Sequence, residues 1–370
     1  MKEHLQKLYT QLDANRNHGL TMTVGMDGFI DEIYHLVDKR ANIDEFERIP
    51  TLKEYGERVV RAAGLSTNVE MVPIETRLGG NGPYLSNALL NLGSKIFYIG
   101  ALGNPVHPAY QEFSKRTEKF YSLCEPGISQ AFEFDDGKLL MLKPDTFRGI
   151  TWERVMELVG SPQALADMLD KSAMLGLIDW SIVYNMTGIW KHLLDEVFPL
   201  MAEREVKPLA FFDLSDPEKR SKEDILEAMK LIGKFEGKFR AILGLNEKEL
   251  YQIADAFGVK AEGLKDNTVE VYKKMGIYCV VVHPVKEAAC CIDGQYYEVE
   301  GPYCAKPMTT TGAGDNFNSG FSLGQALGLD PVSALYLGVC ASGFFVRNAR
   351  SGMYTELMGF AKQWAEDGSI

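Results

Sequence analysis

Short apolar runs rich in β-branched and aromatic residues alternate with amphipathic stretches over most of the chain, the pattern of a parallel sheet joined by crossover helices. Strands are expected at residues 20–25, 95–100, 180–185, 209–213, 240–245 and 278–283, and helices at 190–205, 217–235, 247–257 and 265–275. In an open sheet of this kind ligands bind outside the carboxyl ends of the strands. The residues just past each run, at 26–31, 101–104, 186–187, 214–216, 246–249 and 283–285, therefore become candidates for chemistry. Asn185 and Thr187, following the stretch Trp180 to Tyr184, are candidates on this count.

Two stretches break the alternation. Residues 32–77 are polar with a helical patch at 54–63, and residues 119–149 carry strand-like pieces at 130–134 and 138–142 around Asp135-Asp136-Gly137, which reads as a β-hairpin. The expected organisation is an α/β core of residues 1–31, 78–118 and 150–370 with lid insertions at 32–77 and 119–149. Such excursions either close over a site or are ordinary surface loops.

Charge narrows the function classes. The chain has 39 basic and 51 acidic residues, a net charge of −12, and no lysine and arginine run able to cover a phosphate backbone, which argues against nucleic acid and anionic membranes as partners. The start of the chain is too polar for a secretory leader and no stretch reaches the length of a spanning helix, so a cytoplasmic protein is expected. The six cysteines form no CxxC pair and read as free buried thiols.

The most informative segment is Met308-Thr-Thr-Thr-Gly-Ala-Gly-Asp315-Asn-Phe-Asn-Ser-Gly-Phe321. A glycine turn entering a helix exposes backbone N–H groups and a positive dipole end, which suits a phosphate or a developing oxyanion. Asp315 at that helix start is either a base toward an alcohol or a plain cap. A second cluster, Leu78-Gly79-Gly80-Asn81-Gly82-Pro83-Tyr84, lets a ligand approach the backbone, and Asn81 offers both a donor and an acceptor to hydroxyls.

These two clusters, with Leu245-Asn-Glu-Lys-Glu249 between them, resemble the signatures of the ribokinase-like PfkB carbohydrate kinase family over residues 21 to 352. The resemblance implies a three-layer α/β/α core with a mostly parallel sheet and a small β lid. It further implies transfer of the γ-phosphate of ATP, with Mg2+, to a hydroxyl of a sugar, sugar derivative or nucleoside, and a homodimer formed through the lid. Carried over residue by residue, Asp315 looks like the catalytic base and Gly312, Ala313 and Gly314 like the anion hole. Asp31, Gly79, Gly80 and Asn81 look like substrate contacts, with Asp27 competing for the role of Asp31. Asn246, Glu249, Thr310, His283 and Asn348 fall to the nucleotide phosphates, and Glu249 to magnesium through water.

Three departures bear on specificity. Thr309 replaces the aspartate that helps to build a monovalent-cation site, which puts potassium activation in doubt; Tyr84 replaces a sugar-binding asparagine; and His283-Pro284-Val285 replaces a phosphate-binding Thr-x-Gly. The His-Pro pair also resembles, weakly, ADP-dependent sugar kinases. A silent sugar- or nucleotide-binding protein on the same fold is the non-enzymatic alternative.

Overall fold

Strands buried on both faces need apolar residues at every position, and such runs build the larger of two sheets. The computed structural model describes residues 1–368. Its strands are β1 (Thr21–Gly25), β2 (Phe29–Arg40), β3 (Phe46–Arg48), β4 (Met71–Gly79), β5 (Lys95–Gly100), β6 (Lys119–Ser122), β7 (Gly127–Phe134), β8 (Gly137–Lys143), β9 (Met174–Ile178), β10 (Leu209–Asp213), β11 (Arg240–Leu245), β12 (Cys279–Val282), β13 (Glu287–Ile292) and β14 (Gln295–Glu300). Nine of them form one sheet in the order β14-β13-β12-β11-β10-β9-β1-β5-β6, parallel from β12 through β6 and antiparallel at the β12, β13, β14 edge. β9, β10 and β12 are buried along their whole length.

Successive side chains of a strand point to opposite faces, and β10 sends Phe212 into one apolar layer and Phe211 into the other. The first layer holds Trp180, Trp190 and Phe235; the second holds Leu5, Phe317 and Phe321. This is the expected three-layer α/β/α core. The chain leaves β1 toward β5 and β6, then returns on the other side of β1 to run through β9, β10, β11 and β12. That reversal opens a crevice at the carboxyl ends of β1 and β9, where such folds bind ligands.

The second sheet has the order β3-β2-β7-β8, with β4 sharing one edge of β2 with β3. β7 and β8 form the hairpin expected around Asp135-Asp136-Gly137, with Phe134 opposite Gly137. The sheet takes in Phe29 to Asp31 and Leu78 to Gly79, outside the expected insertion limits, whereas β6, inside those limits, extends the large sheet. The small sheet buries its own cluster of Leu36, Ile49, Phe132 and Phe134.

Two expected elements moved. Residues 180–185 are not a strand; the strand is β9, and Trp180 to Val183 form a buried turn in which Ser181 N–H donates to the Leu214 carbonyl and the Arg220 guanidinium lies over Trp180. Both runs are apolar and adjacent, so periodicity cannot tell which of them pairs. The helix expected at 190–205 spans Met186–His192 and continues as a wide turn at Leu193–Val197 and a tight one at Phe198–Leu200, where Pro199 supplies no N–H. Four cysteines are buried as expected, but Cys124 and Cys304 are partly exposed.

Candidate active site

The carboxyl ends of five parallel strands deliver polar groups to one place: Asp27 after β1, Asp179 after β9, Asp213 at the end of β10, Asn246 after β11 and His283 after β12. The lid closes over them. A cavity of about 280 Å³ is lined by Gly80, Asn81, Tyr84, Asp179, Asp213, Asn246, Glu249 and Asp315 from the core side, and by Asp31, Ser129, Leu140 and Leu142 from the lid sheet. A second cavity of about 270 Å³, lined by Pro284, Tyr303, Thr310, Ala313, Phe317 and Val346, shares His283 and Gly314 with the first.

Gly312 lines the first cavity with φ +95°, a conformation that glycine adopts without strain, and caps the start of the helix Ala313–Ala326. A Cβ at Gly314 would come within 3.1 Å of the His283 ring, a tight contact that would press the ring aside. The Ala313 N–H donates to the Thr310 carbonyl at 3.1 Å, which removes it from the three amides assigned to the anion hole. Asp315 follows, buried at 8% exposure. Burial pushes its carboxyl well above the usual range, and repulsion from Asp213, Asp27 and Asp179 pushes it further.

Of the two aspartates competing after β1, Asp31 lines the first cavity and Asp27 does not. Asp27 is fully buried and accepts the Gly82 N–H at 2.8 Å, so it supports the start of the helix Asn81–Asn91. Asp31 stands in β2 opposite Arg77 of β4 and Ser129 of β7, and accepts the Tyr84 hydroxyl at 2.9 Å. Burial raises the Asp31 carboxyl, while Tyr84 and Arg77 pull it back down. Gly80 and Asn81 line the cavity, whereas the Gly79 carbonyl points to the Tyr110 hydroxyl behind it.

Asn246 and Glu249 form a capping box on the helix Glu247–Ala256: the Asn246 side chain accepts the Glu249 N–H, and the Glu249 carboxylate accepts the Asn246 N–H. The other Glu249 oxygen accepts the Asp216 N–H at 3.1 Å. Both residues therefore hold their own loop as well as lining the cavity. Among the described residues no three His, Cys, Asp or Glu side chains converge to hold a metal. A hydrated magnesium carried on nucleotide phosphates needs only one or two carboxylates and fits this donor set.

His283 is half-buried, its pKa pushed down to about 4 by loss of water, and packs on Phe317 with ring centroids 4.9 Å apart. It stands between the cavities as a neutral imidazole. Asn348 donates to the Phe344 carbonyl of its own helix and lines neither cavity. Asn185 and Thr187 bond to the Ile150 carbonyl and the Trp180 indole, away from the first cavity.

Sequence reasoning missed Asp179, which has φ +68° and aims two buried carboxylate oxygens without partners at the cavity. Its signal was the run Leu-Gly-Leu-Ile-Asp, obscured by reading the next apolar run as the strand. Asp213, which accepts from Ser215 and from Asn318, was taken as the last residue of a strand rather than as part of the site.

A glycine-rich helix start between two cavities, above a switch point and beneath a β lid, defines a sugar kinase of the ribokinase type, and comparison with known proteins agrees. The chain belongs to the prokaryotic ketohexokinase family, whose model matches residues 1–364. It is 27% identical over 354 residues to a ketohexokinase of Haloferax volcanii, covering 95% of this chain and 93% of that one. The fold is shared with a ribokinase of Arabidopsis thaliana complexed with ribose and ATP, at TM-score 0.60 and 15% identity over 93% of this chain and 99% of that one. It is also shared with a nucleoside kinase of Methanocaldococcus jannaschii, at TM-score 0.59 and 12% identity over 93% of this chain and 98% of that one. The protein is a carbohydrate kinase.

Proposed function

We propose that the protein transfers the γ-phosphate of ATP to a primary hydroxyl of a ketohexose, with Asp315 as the base. The observation that carries this reading is the pair of cavities meeting at Gly314, with Asp315 facing the one that holds Asp31, Gly80 and Asn81. The ketohexokinase relative supplies the sugar class, and the ATP-bound ribokinase neighbour supports the donor.

The sugar sits under the lid, its hydroxyls received by Asp31, Asn81 and the Gly80 backbone. Asp315 takes the proton of the attacking hydroxyl, whose oxygen bonds to the γ-phosphorus as the bond to the bridging oxygen breaks and ADP leaves with the electron pair. The raised carboxyl makes Asp315 a stronger base than an exposed aspartate. The amides of Gly312 and Gly314 receive the developing charge, since Ala313 is already engaged. Magnesium, held through Glu249 and its waters, supplies positive charge to the phosphates when bound. Closure of Leu140 and Leu142 over the sugar keeps water from competing as acceptor.

Among the described residues no helix is long and apolar enough to cross a membrane, and ATP as donor fits a cytoplasmic setting. Met71, Ile74 and Met141 on the lid strands are 43%, 50% and 47% exposed, which supports a homodimer through the lid. Light scattering during size exclusion reads this directly.

The test is an ADP-release assay with magnesium and ATP against D-fructose, other ketohexoses, aldohexoses, pentoses and nucleosides, with AMP release from ADP in parallel. Ketohexose turnover with ATP is expected to dominate. Preference for a nucleoside or pentose overturns the sugar, and turnover with ADP alone overturns the donor.

A further inference from the structure

Neither cavity is lined by a lysine or an arginine, whereas Asp31, Asp179, Asp213, Glu249 and Asp315 all line the first. A polyanionic donor entering beside these carboxylates needs positive charge at the transferring group. Lys219 and Lys248, beyond the rim, are tied to Asp216, and Lys248 also to Glu218. Arg77 stands at the sugar end, paired across the strands with Asp31.

Among the described residues a lysine from the lid bonds to the glycine-rich turn. Lys138 Nζ donates to Thr311 Oγ1 at 2.8 Å, joining β8 to a residue 173 positions away that directly precedes Gly312. Side chains of a strand alternate between faces, so Lys138, Leu140 and Leu142 share one face of β8, and the latter two line the sugar cavity. Glu133, opposite in the hairpin register, holds the ammonium at 3.3 Å, and the side chain is 17% exposed. An ammonium has three donors, which leaves capacity for a phosphoryl oxygen beside the Thr311 contact.

We propose that Lys138 is the lid's contribution to phosphoryl transfer: its ammonium, already at Thr311, meets the γ-phosphoryl group at the Thr311 to Gly314 turn. This rests on the phosphoryl-transfer reading above. The same strand then covers the acceptor with two leucines and charges the donor with one lysine.

The test uses the full chain with Lys138→Met, which keeps the apolar stem, and Lys138→Arg, which keeps the charge. In steady-state assays with D-fructose and ATP, K138M is expected to lower kcat about a hundredfold, the loss seen when one donor to a developing anion is removed. KM for both substrates stays within about threefold, and K138R recovers at least about tenfold of the loss. A loss seen only as a raised sugar KM, or a kcat for K138M within threefold of the parent, overturns the proposal.

A second arm needs no acceptor turnover. Calorimetry compares binding of magnesium-ADP alone and with aluminium fluoride, a mimic of the transferring group. The parent and K138R are expected to bind the mixture more tightly than ADP, and K138M to lose that gain; equal tightening in K138M overturns the proposal. Failure of the parent to phosphorylate any ketohexose refutes the sugar reading instead, and the calorimetric arm still decides Lys138.

Discussion

Asp315→Asn removes the proposed proton acceptor at the start of the helix Ala313–Ala326 and keeps the side chain's size. Its two effects run in opposite directions. Loss of a general base lowers turnover by at least about a hundredfold, while the second cavity, proposed for ATP on the far side of Gly314, keeps its affinity within a few fold. Stability rises, because the native carboxyl is buried and repelled by Asp213, Asp27 and Asp179, and its proton affinity is raised well above that of an exposed aspartate. A carboxyl raised on folding gives stability that is full below its unfolded pKa and lost as pH climbs through its folded one. The advantage of the asparagine is therefore absent near pH 4 and present at pH 8. Relieving a strained catalytic group typically contributes about 1–2 kcal/mol. At roughly 2.1 cal/mol/K of unfolding entropy per residue over 370 residues, that is a rise of about 1–3 °C in Tm. Coupled ADP release, ATP calorimetry and thermal melts of ligand-free protein at pH 5 and pH 8 read all three quantities. Turnover within about tenfold of the parent refutes the base assignment. A melt that drops by the same amount at both pH values refutes the electrostatic account.

Tyr84→Phe deletes the hydroxyl that donates to Asp31, so the Asp31 carboxyl moves further up and kcat/KM for the sugar falls more at pH 6 than at pH 8; a parallel loss at both shows that Asp31 is not the group titrating. The lost hydrogen bond costs about 1–2 kcal/mol in urea unfolding. Gly314→Ala brings a methyl to 3.1 Å from the His283 ring and is expected to lower kcat/KM about tenfold by displacing the helix start. Adding His283→Ala should recover part of that loss, and strictly additive losses show that the two sites do not meet.

Much of this molecule follows from residue order alone. Apolar runs such as residues 209–212 and 241–245 suit strands covered on both faces, and the hairpin at Asp135-Asp136-Gly137 follows from turn chemistry. The glycine-rich turn and Asp315 are local as well: neighbours in the chain that act together because a helix start needs no distant partner. Tertiary structure decided the rest. Met174–Ile178 and residues 180–183 are equally apolar, and only pairing of the former with β1 and β10 selects it as the strand and turns Asp179 into the cavity. The chain after β1 offers Asp27 and Asp31 four residues apart, and the fold sends one behind Gly82 and the other to Tyr84. The contact between Lys138 and Thr311 spans 173 residues, because the small sheet and the glycine-rich turn approach only when the two sheets are packed together. Patterns of period two and of glycine specify elements; which ends face each other depends on the long-range packing that buries them.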